Sequence, residues 1–124
     1  MPGSVRWGVL STALINTKVL RGAALSADVD VVAVASRDRA RAQQYAAEWG
    51  IGRAYGSYDE LLAASDIDAV YVPLPNGLHH EWTMRALRAG KHVLCEKPYS
   101  PRPEEVEEAF DEADARGLVV SEAF

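Results

Sequence analysis

The chain has 124 residues, 48% hydrophobic and 25% charged, the length and balance of one packed domain rather than of a disordered or disulfide-built chain. Its net charge of −5 argues against non-specific nucleic-acid binding, although seven of the eighteen acids crowd into Glu104–Asp114, a stretch without Lys or Arg. No run approaches the roughly 20 apolar residues of a membrane span, Met1 to Val5 open no secretion signal, and Cys95 is the single cysteine. A cytoplasmic protein with no internal disulfide and no membrane contact is therefore expected.

Short apolar runs alternate with helical stripes. Val5, Trp7, Val9 and Leu10 predict a strand, Ser11 to Ala13 a turn, and Ile15, Val19, Leu20 and Ala23 a helix ending near Ser26. Val31–Ala35 is an unbroken apolar run, as in a parallel strand covered on both faces. Asp38 is placed to cap a helix carrying Ala42, Tyr45, Ala46 and Trp49, with Gly50 as its stop. A short strand at Ala54 and Tyr55 is followed by capping-box spacing at Ser57 and Glu60, ahead of Leu61 and Leu62. Ala69–Val72 predicts the next strand, closed by Pro73 and Pro75, and Asn76 a cap for a helix ending before Gly90. After a strand at His92–Cys95, Val106, Ala109, Phe110 and Ala113 form the stripe of an acidic helix stopped by Gly117, and Leu118–Val120 begin a last strand. Tyr45, Trp49 and Trp82 are expected in the core. The pattern predicts an α/β fold, a doubly wound parallel sheet in three α/β/α layers, spanning residues 1–124 as one domain.

Such sheets bind ligands beyond the carboxyl ends of their strands, where this chain places Ser11-Thr12-Ala13, Ser36-Arg37-Asp38, Leu74-Pro75-Asn76, Glu96-Lys97-Pro98 and Glu122. In the first turn the three positions of a G-x-G-x-x-G fingerprint are Ser11, Ala13 and Asn16, and the nearby Gly8 lies within the strand. Small residues there still admit a pyrophosphate, with Ser11 and Thr12 as hydroxyl donors; the alternative is an ordinary small-residue turn. Ser36 and Arg37 stand where a ribose is read and suit a 2′-phosphate better than a free hydroxyl, so NADP is favoured, with Arg41 as a second cation. The competing reading is a solvated cluster of Arg37, Arg39 and Arg41.

Lys97 at a strand end can donate to a carbonyl or hydroxyl oxygen without a metal, the alternative being a surface ion pair with Glu96. Adjacent His79 and His80 point about 100° apart on a helix and lack H-E-x-x-H spacing, so no metal site is expected. His79, in the first turn, is the functional candidate, and His80 is expected in solvent. Cys95 reads as a buried structural thiol, and the Glu104–Asp114 stretch as a solvated helix face.

Taken together, Arg6-Trp7-Gly8-Val9-Leu10-Ser11-Thr12-Ala13, Val34-Ala35-Ser36-Arg37-Asp38, Pro75-Asn76-Gly77-Leu78-His79 and Gly90-Lys91-His92-Val93-Leu94-Cys95-Glu96-Lys97-Pro98 resemble the N-terminal domain of the Gfo/Idh/MocA oxidoreductases. The resemblance, covering about Val5 to Phe124, implies a Rossmann-type NAD(P)-binding domain and hydride transfer at hydroxyl or carbonyl carbons of sugars, polyols or cyclic diols. It implies Lys97 as the catalytic residue. Cofactor contacts are then expected at Ser11, Thr12, Ala13, Leu14 and Ile15 in the first turn and at Ser36, Arg37 and Arg41 in the ribose corner. Leu74, Pro75, Asn76, His79, Glu96 and Lys97 complete the set. NADP is the expected cofactor, with NAD as the alternative, and a small sugar or diol the expected partner; a homo-oligomer is left open. The resemblance also implies a second α/β substrate domain beyond the position of Phe124, so residues 1–124 by themselves are expected to show little turnover. The alternative from another class is a nucleotide-binding or interaction module without turnover.

Overall fold

The computed structural model describes residues 5–12, 20–21 and 28–123. Six parallel strands form one sheet: β1 (Val5–Leu10), β2 (Val29–Ala35), β3 (Arg53–Tyr55), β4 (Ala69–Val72), β5 (His92–Glu96) and β6 (Val120–Ala123). Their order, β3-β2-β1-β4-β5-β6, reverses direction between β1 and β4, which is the switch point of the dinucleotide-binding fold. Four helices are described: α1 (Arg39–Trp49), α2 (Tyr58–Leu62), α3 (His79–Arg88) and α4 (Pro103–Arg116). The helix expected after Ser11 falls largely outside the described residues; Leu20 and Arg21 are helical, with Leu20 buried.

Strand alternation sends neighbouring residues into two separate cores. Leu10, Ala33, Ala35, Val70, Val72, Val93 and Cys95 face α2, α3 and α4, whereas Val9, Val34 and Tyr71 pack with Leu20, Ala46 and Ile51 on the face that carries α1. The apolar runs at Val31–Ala35 and Ala69–Val72 are unbroken because both faces are covered. Gly8 lets α2 approach β1: a Cβ there would meet Leu61 Cδ2 at 2.6 Å.

Helix limits follow the expected local chemistry. Asp38 accepts from the backbone N–H groups of Ala40 and Arg41 at 3.0 and 3.4 Å, and Ser57 Oγ from that of Glu60 at 3.1 Å. Gly50 and Gly117 both end helices at φ 68°, the left-handed conformation that glycine adopts without a Cβ clash. Three expectations shift. Phe110 is 49% exposed, the buried stripe of α4 being Ala109 and Ala113 with Val106 half-buried. The last strand begins at Val120 rather than Leu118, because β6 is the sheet edge and pairs from Val93↔Val120, leaving Val119 63% exposed. Trp49, Tyr45 and Trp82 are half-buried; Trp82 meets Tyr58 edge-on at 5.1 Å and carries the Arg85 guanidinium 4.7 Å over its ring. No helix among the described residues is long and apolar enough to cross a membrane.

Candidate cofactor site at the carboxyl edge of the sheet

The strands β1, β2, β4 and β5 end in Leu10, Ala35, Val72 and Glu96, so the segments that follow them share one edge of the parallel sheet. Ser11, directly after β1, has φ 148°, a backbone region that L side chains rarely adopt and glycine enters freely. The first fingerprint position thus holds serine in a backbone conformation that favours glycine. Thr12 is half-buried beside it. Ala13, Leu14 and Ile15, also expected at the cofactor, and Asn16 lie outside the described residues.

In the corner expected to read a ribose, Ser36 is buried, its N–H donates to Tyr55 O at 3.1 Å, and its Oγ accepts from Asp38 N–H at 3.2 Å. That leaves the Ser36 hydroxyl proton to donate to a ligand oxygen. The carboxylate of Asp38 is committed to capping α1, so it is not the free acid that reads a ribose hydroxyl. The three arginines separate: Arg39 pairs with Glu60 at 3.0 Å, whereas Arg37 and Arg41 are exposed and form no hydrogen bond or ion pair through their side chains among the described residues.

After β4, Leu74 is buried while Pro75 and Asn76 are exposed. Asn76 does not cap a helix as expected: Asn76–Leu78 form a 3₁₀ turn, Leu78 N–H donates to Pro75 O at 2.8 Å, and α3 begins without a side-chain cap. The Asn76 amide is accordingly not used by the helix. His79 is 1% exposed; its Nδ1 lies 2.8 Å from Pro98 O and its Nε2 2.5 Å from Leu74 O. A neutral imidazole carries one N–H, so it donates to one of these two carbonyls at a time; either way the ring is enclosed between the loops after β4 and β5 instead of lying open at the edge.

Glu96 ends β5 and accepts a 2.6 Å hydrogen bond from the Tyr71 hydroxyl. Burial pushes the Tyr71 phenol up from its ordinary value, and the Glu96 carboxylate reinforces this, so Tyr71 remains a donor at neutral pH. Lys97 is exposed and makes no hydrogen bond or ion pair among the described residues; the surface pair with Glu96 is not formed. The Lys97–Pro98 peptide is cis. Cys95, fully buried, has its thiol pushed up to about 12 by burial, which makes it a packing residue rather than a nucleophile.

Two expectations about polar residues are corrected here. His80 is not in solvent: Nδ1 lies 2.6 Å from the Tyr99 hydroxyl oxygen and Nε2 2.6 Å from Glu108 Oε1. Nor is the acidic helix wholly a solvated face, since Glu108 pairs with His80 of α3 and Glu105 accepts from Ser100 Oγ, after β5, at 2.5 Å. The sequence carried no spacing signal for these contacts, because they join α3, α4 and a loop.

Residues 5–124 match the family described as an oxidoreductase family with an NAD-binding Rossmann fold, GFO_IDH_MocA. The chain belongs to this family. It is 47% identical over 118 residues to D-xylose 1-dehydrogenase (NADP(+)) 2 of Haloferax volcanii, covering 95% of this chain and 36% of that protein. It is 42% identical over 123 residues to trans-1,2-dihydrobenzene-1,2-diol dehydrogenase of Macaca fascicularis, covering 97% and 36%. The structure of KijD10, a 3-ketoreductase from Actinomadura kijaniata solved with NADP, superposes with a TM-score of 0.94 at 42% identity, covering 98% of this chain and 39% of that one. The chain thus spans little more than a third of the length of these relatives.

Proposed function

We propose that this chain is the cofactor-binding part of an NADP-preferring oxidoreductase acting on a hydroxyl or carbonyl carbon of a sugar, polyol or cyclic diol. The observation that carries this reading is the unpaired, exposed Lys97 at the carboxyl end of β5, on the edge where Ser11, Ser36, Arg37 and Asn76 also stand. The donor set fits a phosphorylated dinucleotide. Ser11 and Thr12 would receive the pyrophosphate, Ser36 with Arg37 and Arg41 the adenosine ribose and its 2′-phosphate, and Asn76, Glu96 and Lys97 the nicotinamide end. Leu74 and His79 act from beneath, His79 from its buried place between the Leu74 and Pro98 carbonyls. When bound, the nicotinamide supplies or accepts the hydride.

Lys97 donates a hydrogen bond to the substrate oxygen, which gains negative charge as a carbonyl is reduced, so the contact strengthens in the transition state. Glu96, steadied by Tyr71, accepts from ribose hydroxyls. NADP preference is supported by the two free cations and by the capping role of Asp38. The substrate class is supported by what the relatives are named for, a pentose dehydrogenase and a dihydrodiol dehydrogenase among them. Because the chain corresponds to about a third of those proteins, residues 1–124 by themselves are proposed to bind cofactor with little turnover.

The test is NADPH oxidation across sugar and diol carbonyls, paired with fluorescence titration of NADPH, in wild type and Lys97→Met of an enzyme that carries these residues together with a substrate domain. Losing one such donor lowers kcat about a hundred- to a thousandfold and leaves the NADPH Kd nearly unchanged. Wild-type kcat in Lys97→Met would remove Lys97 from the mechanism.

A further inference from the structure

Lys97 has no partner among the described residues, yet the three residues after it are fastened one by one. The Pro98 carbonyl faces the His79 ring at 2.8 Å. Tyr99 N–H donates to Glu122 Oε2 at 2.6 Å. Ser100 Oγ donates to Glu105 at 2.5 Å and accepts from Arg102 N–H at 3.1 Å. The longest of these tethers runs from the Tyr99 hydroxyl through His80 to Glu108, both contacts at 2.6 Å, with the His80 and Tyr99 rings edge-on at 5.7 Å.

The direction of this chain follows from its end group. A carboxylate only accepts, so Nε2–H of His80 donates to Glu108, and in the neutral ring Nδ1 is left to accept the Tyr99 O–H. Tyr99 is 8% exposed, so its hydroxyl needs a partner, and a phenylalanine would supply the same packing without that need. Docking of α4 against the rest of the domain does not depend on the polar chain, since Ala109 and Ala113 already join the apolar cluster that contains Met84, Ala86 and Leu87 of α3. What the polar chain adds is a fixed place for the Tyr99 ring, two residues from Lys97.

We propose that Tyr99, His80 and Glu108 are positioning residues, whose hydrogen-bonded chain between α4 and α3 fixes the loop after β5 and so orients the Lys97 ammonium at the cofactor edge. This rests on the assignment of Lys97 to the nicotinamide end. The chain has three lysines, Lys18, Lys91 and Lys97, so reductive methylation with ¹³C-formaldehyde gives few NMR signals, and Lys97→Arg assigns the one required. NADPH is expected to move the Lys97 methyl resonance in wild type. In Tyr99→Phe and in Glu108→Ala that movement falls about twofold or more while the NADPH Kd stays within about twofold. Glu108→Gln, which keeps an acceptor for Nε2–H, restores it. A merely structural role would lower the melting temperature of Tyr99→Phe and leave the Lys97 movement intact, which would overturn the proposal. A wild-type resonance unmoved by saturating NADPH would overturn the assignment of Lys97 itself, and the positioning role with it.

Discussion

Replacing Arg37 by alanine tests the ribose corner most directly, because the structure separates three neighbouring arginines that look alike in sequence. Arg39 is held by Glu60 at 3.0 Å with about half of each side chain exposed, an arrangement contributing about 0 to 1 kcal/mol. Arg37 and Arg41 carry no such pair among the described residues, so no ion pair opposes their turning to a 2′-phosphate. A charge-assisted contact of this kind contributes about 1.5 to 3 kcal/mol, or roughly ten- to a hundredfold in affinity. Arg37→Ala should therefore weaken NADPH by that factor and NADH by less than about twofold, since NADH lacks the phosphate that the guanidinium is proposed to meet. Arg41→Ala should show a smaller loss, and Arg39→Ala none. Fluorescence titration of both cofactors at two salt concentrations provides the measurement, and the NADPH advantage should shrink with salt because the corner is exposed. An unchanged NADPH-to-NADH ratio in Arg37→Ala, or an equal loss in Arg39→Ala, would refute the assignment.

How far the sequence could be read depended on how local the determining physics was. Asp38, Ser57, Gly50 and Gly117 act within a few residues of themselves, and all four stand at the helix ends where their chemistry put them. Asn76 carried the same cap signal and failed, because the chain leaves β4 through Pro73 and Pro75 and turns once in a tighter helix before α3 starts. Phe110 fitted the apolar period of α4 but lies next to the edge strand, where the described sheet offers nothing to cover it; edge position is a property of topology and not of spacing. The same limit explains the polar residues that were missed. Lys97 was legible because a strand end places it, whereas His80 depends on Tyr99, nineteen positions away, and on Glu108, twenty-eight away. Partners that distant meet only once α3, α4 and the loop after β5 have folded together.

Ser11→Gly should stabilise the chain by about 1 kcal/mol, the relief of an unfavourable φ less the added entropy of the unfolded state; a lower melting temperature would contradict the strain reading. Gly8→Ala should destabilise it by roughly 1 to 3 kcal/mol in urea titrations, since Leu61 must move away from the new methyl. Tyr71→Phe should weaken NADPH only a few-fold by leaving Glu96 less ordered, an effect read by the same titration. The last prediction concerns Cys95, whose thiol is fully buried and pushed up to about 12. In the unfolded chain a thiol titrates near 8.5, so between those values the folded state keeps a proton that the unfolded state has released. Stability must then fall as pH rises through that window, by up to about 1.4 kcal/mol per pH unit from this group. Lys91, whose ammonium is held below its ordinary value by burial, contributes the opposite slope, so the wild-type curve alone does not isolate the thiol. The difference between wild type and Cys95→Ala does, because Lys91 and the buried tyrosines are common to both. Cys95→Ala should be the less stable at pH 7, where a buried side chain has been shortened, and the gap should narrow steadily from pH 8.5 to pH 10 in urea unfolding. A gap that stays constant across that range would mean that Cys95 ionises as freely folded as unfolded, and that the space around it is open to solvent.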